Sequence, residues 1–246
     1  MGTDGQAREG ASRCRTLAAS VGTRRSTWTG LTLFFLGLIG AASLTEGVME
    51  HGDLSVLDPL VAADVSSWHE GVLTFAADLA TYIGSAPVIG LMGALLSVWA
   101  WTEWRDRRGA VLLAGAFMLS AALGLILKHV VARPRPAAGE TYGTWDSSPA
   151  FPSGHTLGTA VFLGLVAMIL LYGAHARTAK AVGVFGGVAG TLFVAFSRIY
   201  LGDHWLTDVL AGLSLAVMVL GGVLICVDVL RVRSPDWRPF SVQAKR

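Results

Sequence analysis

The chain of 246 residues is 53% hydrophobic and only 15% charged, with a mean hydropathy of +0.57. Soluble domains carry about 25% charged residues, so an ordinary soluble globule is excluded. A formal net charge of only +2 says little in bulk, its distribution says more, and no nucleic-acid partner is expected.

Apolar runs near the roughly 20 residues needed to cross a bilayer recur along the chain, and six spans are expected. The first covers about Thr29 to Met49, preceded by a polar, arginine-bearing segment. Its length exceeds the roughly 7–15 residues of a signal-peptide core, so it reads as an uncleaved anchor. Residues 51–86 mix apolar residues with Asp53, Asp58, Asp64, Glu70 and Asp78 at roughly helical spacing. They read as one or two amphipathic interfacial helices that can run on into the second span, the alternative being a short seventh span from about Gly71 to Gly84. The second span begins near Pro87 or earlier and ends at Trp99–Trp104; the third is Ala110 to about Ala132. Thr156–Tyr172, Ala181–Tyr200 and Trp205–Leu230 complete the set, with tryptophans and tyrosines near several ends, as an interfacial belt predicts. Cys14 and Cys226 form no metal or disulfide pattern.

Assigning alternate loops to opposite sides places 15 of the 19 Lys and Arg on one side: both tails, the loop at 105–109 and the loop at 175–180. The positive-inside rule makes that side cytoplasmic. Only Lys128, Arg133, Arg135 and Arg198 remain on the other, where something must hold them.

Those four lie in three polar clusters at span ends. In "KHVVARPRP", Lys128 to Pro136, the prolines turn the chain out of its helix. Arginine there supplies a planar fork for phosphate oxygens and lysine a point charge, although basic residues at such a place also serve as snorkelling anchors. In "PSGHT", Ser153 and Gly154 open a helix whose unpaired N–H groups favour an anion, and His155 is placed as a general acid. A serine cap followed by an interfacial histidine fits the same residues. In "SRIYLGDHWLTD", His204 and Asp208 stand four apart on one helical face. A carboxylate on one ring nitrogen leaves the other free to attack, and an ordinary capped charge pair is the competing reading.

In combination the order K-x6-RP, PSGH and SR-x5-H-x3-D resembles the three-part signature of the type 2 phosphatidic acid phosphatase superfamily. It reads here as Lys128, Arg135 and Pro136; Pro152, Ser153, Gly154 and His155; and Ser197, Arg198, His204 and Asp208. The resemblance implies an all-α membrane protein: a six-transmembrane-helix bundle with amphipathic interfacial helices between the first two spans. Residues 1–27 would be a disordered cytoplasmic tail, 28–230 the six-span lipid phosphatase domain and 231–246 a cytoplasmic C-terminal tail.

It implies a metal-independent phosphatase, without cofactor, acting through a phosphohistidine, and the loop charges point to the extracytoplasmic face for its site. His204 would be the nucleophile, Asp208 its orienting base and His155 the acid. Lys128, Arg135, Ser153, Gly154 and Arg198 would bind phosphate. The expected substrate and partner is a lipid phosphate within the bilayer, foremost polyprenyl (undecaprenyl) pyrophosphate. Phosphatidic acid, phosphatidylglycerol phosphate and diacylglycerol pyrophosphate are rivals, and a lipid phosphotransferase could use the same site. A transporter that only binds its anion would need no nucleophile and acid. Arg133 has two readings: contact with a second phosphate, or an anchor for the loop.

Overall fold

The computed structural model describes residues 3–50, 52–68, 70–136, 148–173 and 175–241, with side chains from Ser26 onward except those of Asp53 and Ser66. The basic side chains of the N-terminal tail, and Lys245 and Arg246, lie outside the described residues. The described residues contain eight α-helices and no strand: α1 (Thr3–Met49), α2 (Asp58–Ser66), α3 (Gly71–Ile83), α4 (Ala86–Thr102), α5 (Arg107–Val131), α6 (Gly154–Gly173), α7 (Arg177–Tyr200) and α8 (Leu206–Arg233), with a 3-10 turn at Asp53–Leu57. Helix is the form that satisfies backbone polar groups within one segment, as a bilayer core demands.

Five helices are long and apolar enough to span: Ser26–Met49 within α1, then α5, α6, α7 and α8. The sixth span is a bent pair, α3 and α4, which meet at 50° across Gly84–Ser85. The break has local causes: Gly84 ends α3 with its N–H on the Ala80 carbonyl, and Pro87 opens α4, where its missing N–H costs nothing. The 13 residues of α3 reach about 20 Å at 1.5 Å per residue, short of the ~30 Å hydrocarbon core. A separate seventh span from Gly71 to Gly84 is therefore replaced by half of a bent one.

α8 is the axis of the bundle. Val209, Leu215, Val219 and Val227 bury along its length, and it packs against α1, α5 and α6. α1 lies so close that a Cβ on Gly37 would stand 2.3 Å from the Met218 nitrogen, the kind of approach small residues permit between membrane helices. The outward faces stay apolar, with Val72, Phe75, Met118 and Phe185 all well exposed. That is the surface a lipid-facing bundle needs and one a soluble monomer would avoid.

Candidate active site

The three polar clusters come together where α5 ends and α6 and α8 begin. α5 stops at Ala132, which takes left-handed angles (φ 46°) as its N–H bonds the Lys128 carbonyl. Pro134 then forbids continuation. The chain returns through a bond from the Ala150 N–H to the Arg133 carbonyl at 2.8 Å. The Ser153 N–H reaches the Asp208 carbonyl at 3.0 Å, so the start of α6 is held against the start of α8. Between α7 and α8 the chain reverses through Gly202 at φ 74°, a backbone setting that glycine alone adopts without cost. The N–H groups of Asp203 and His204 both fold back onto the Arg198 carbonyl at 3.1 Å.

His204 and Asp208 are almost wholly enclosed, 1% and 0% exposed. Nδ1 of His204 faces Oδ2 of Asp208 at 3.5 Å. That is contact without an ordinary hydrogen bond, of the kind that tightens when substrate binds. The Trp205 N–H donates to the same Oδ2 at 2.9 Å. Burial lowers the His204 pKa from 6.5 to about 4; Asp208 opposes this, and Arg198 and Arg135 add to it. The imidazole is neutral at physiological pH, as a nucleophile must be.

Arg135 brings its Nη1 to 3.5 Å from His204 Nε2 and donates to the Asp203 carbonyl at 2.8 Å. Its Nε and Nη2 hold the Ser148 carbonyl and hydroxyl. Arg198 is buried in a 2.8 Å ion pair with Asp203, and its Nη1 donates to Thr81 of α3. The Lys128 ammonium donates to the Pro149 carbonyl. Ser153 is fully buried and accepts from the Thr156 hydroxyl at 3.0 Å. Gly154 opens α6, with nothing within 4 Å of where a Cβ would be, so a ligand can approach its backbone. His155, half-buried, follows in the first turn of α6.

All three expected clusters thus contribute to one end of the bundle. Two carboxylates beside them were not among the candidates. Asp203 pairs with Arg198, and Asp58, only 1% exposed at the start of α2, bonds Arg133 and Thr207. In sequence Asp58 looked like part of an interfacial amphipathic segment; only its Asp-Pro step at a helix start hinted at a cap. Among the described residues no group of three or more His, Cys, Asp or Glu is placed to hold a metal ion.

A cavity of about 290 Å³ between α4, α5 and α6 runs up to this end. It is lined by Gly90, Phe117, Gly124 and Leu157, with Lys128 and Gly154 also in its wall.

The PAP2 superfamily model matches residues 109–231, which include every residue of the three clusters. Phosphatidylglycerophosphatase B of Bacillus subtilis is 29% identical over 191 residues, 77% of this chain and 90% of that protein. Undecaprenyl-diphosphatase BcrC of the same organism is 26% identical over 160 residues, 62% of this chain and 74% of the relative. The crystal structure of a transmembrane PAP2-type phosphatidylglycerolphosphate phosphatase from Bacillus subtilis superposes with a TM-score of 0.66 at 21% identity, covering 84% of this chain and 96% of that one.

Proposed function

The chain belongs to the PAP2 superfamily, and from that premise we propose that it is a membrane lipid phosphatase working through a phosphohistidine on His204. The observation that carries this reading is the enclosed, neutral imidazole whose Nδ1 faces a carboxylate and whose Nε2 faces an arginine fork. With Nδ1–H turned to Asp208, the Nε2 lone pair attacks phosphorus and the bond to the leaving oxygen breaks. An oxygen held by Arg135 would then lie beside the attacking atom. His155 gives its proton to the leaving oxygen. In the second step a water attacks the phosphoryl group, His155 takes the water's proton, the N–P bond breaks and inorganic phosphate departs.

Phosphoryl transfer needs mainly positioning and charge stabilisation. Lys128, Arg135, Arg198 and the α6 N-terminus supply both, so no metal is required in this scheme.

The substrate class follows from the setting. The site sits at the end of a six-span bundle, and the apolar groove between α4, α5 and α6 runs from the bundle wall to Lys128 and Gly154. A lipid can place its phosphate at the cations and keep its chain among apolar side chains. Polyprenyl pyrophosphate is the leading candidate and glycerolipid phosphates the rivals; relatives bearing names of both kinds match this chain. The loop charges support an extracytoplasmic site with both termini in the cytoplasm.

The test is phosphate release by purified protein from a panel of lipid mono- and pyrophosphates in EDTA, with orthovanadate as inhibitor. Activity that persists in EDTA and falls with vanadate is expected. A strict metal requirement, or full activity in His204→Ala, would refute the scheme.

A further inference from the structure

Arg133 has no task in that scheme, yet all three of its hydrogen bonds go to buried side chains beside the site. Its Nη1 donates to Asp208 Oδ1 and to the Thr207 hydroxyl, each at 2.7 Å. Its Nη2 donates to Asp58 Oδ2 at 2.6 Å. Asp58 also accepts the Thr207 hydroxyl on Oδ2 at 2.6 Å and the Thr207 N–H on Oδ1 at 2.9 Å. The start of α2 is thereby locked onto the first turn of α8, across 149 residues of sequence.

A carboxylate can swing about its last torsion, and Asp208 is useful to His204 only in one orientation. Trp205 N–H holds Oδ2 and Arg133 holds Oδ1, so the carboxylate plane is fixed from both edges. Charge gives the second half of the argument. A lone guanidinium on Asp208 would cancel the negative charge that favours a cationic His204 during transfer. Asp58 offsets it: Arg133 and Asp58 form a neutral pair, and Asp208 keeps its charge for His204. Two buried carboxylates without that cation would be costly in turn. A ligand phosphate, by contrast, finds most of the guanidinium occupied, and the side chain is only 14% exposed.

We infer that Asp58 and Arg133 are positioning residues, which orient Asp208 toward His204 and preserve its charge. The inference rests on the proposed roles of His204 and Asp208.

The experiment is steady-state kinetics of the full chain in detergent, on a polyprenyl pyrophosphate and the matching monophosphate. Asp58→Asn, Arg133→Gln and Arg133→Lys are made in wild-type and Asp208→Asn backgrounds. Wild type and His204→Ala, run alongside, test the phosphohistidine reading separately.

Asp58→Asn and Arg133→Gln should lower kcat by about 10–100-fold, the usual cost of losing a supporting partner behind an active group. KM should stay within about twofold for both substrates, and vanadate inhibition should persist. In the Asp208→Asn background the same changes should cost less than about threefold, because their target is gone. Arg133→Lys should recover part of the loss. Losses that multiply unchanged in the Asp208→Asn background would overturn the inference, and so would a rise in KM for pyrophosphate alone. If Arg133→Gln fails to fold, Asp58→Asn, which keeps the side-chain shape, decides by the same two criteria.

Discussion

Two buried carboxylates, Asp106 and Asp208, stand at opposite ends of the bundle and keep different company. Asp106 precedes α5 and Asp208 lies in the first turn of α8, some 37 Å away along α5 at 1.5 Å per residue. Both are almost wholly enclosed. Asp106 accepts from the Gly109 N–H at 2.9 Å, the Trp237 indole at 2.8 Å and the Phe240 N–H at 2.9 Å. Each of these partners is neutral, and together they tie the C-terminal segment to the loop before α5. Asp208 has one backbone donor, one arginine shared with a second carboxylate, and an edge turned to an imidazole whose Nδ1 has no hydrogen bond. Burial of a carboxylate therefore marks no function. What sets Asp208 apart is a neighbour, His204, whose charge changes in the proposed scheme while the carboxylate stays fixed.

That contrast predicts a graded set of effects. Replacing His204 with Ala should cut turnover by roughly 10⁴-fold or more, the scale seen on removing a nucleophile, while the protein keeps its melting temperature at pH 7. Arg135→Lys keeps the charge but loses the fork. Charge-assisted hydrogen bonds contribute about 1.5–3 kcal/mol each, so kcat/KM should fall about 10–100-fold, read by initial rates on one lipid phosphate.

At the other end the pattern should invert. Asp106→Ala leaves three donors unsatisfied and should lower stability by about 2–4 kcal/mol, seen in thermal unfolding. The kcat per folded molecule should change less than about twofold, since none of these bonds reaches the site. A large loss of kcat from Asp106→Ala would erase the distinction between the two ends.

The smallest effect is in pH. Burial holds His204 near 4 in the native state against 6.5 unfolded. Between those values the unfolded chain binds a proton that the native chain does not, so this group's contribution to stability falls as pH drops from 6.5 toward 4. His204→Gln should therefore gain in melting temperature, relative to wild type, on going from pH 7 to pH 5.

Much of this was legible along the chain. Hydropathy located five spans outright, because each is a local run whose length alone meets the bilayer's requirement. It also caught the ending of the bent span at Trp99–Trp104. The bend itself was only partly visible: Gly84 and Pro87 mark a break, but its angle depends on what α3 packs against, namely α7. The site followed the same rule. His204 and Asp208 stand four apart, so their spacing betrays them, although His204 lies just before α8 rather than on its face and meets Asp208 where that carboxylate caps the Trp205 N–H. Asp203 has no such spacing, because it meets its partner, Arg198, across a reversal whose geometry rests on Gly202.

The sequence by itself determined a six-span helical membrane chain and the three clusters, with two histidines, a carboxylate and four cations among them. These are properties of local runs and short spacings. Only the tertiary structure decided what Arg133 touches and that Asp58 belongs beside Asp208. Those contacts join residues 75 and 149 positions apart, and a separation of that size leaves no periodic trace in the chain. It is settled by which helix ends the bundle brings to the same place.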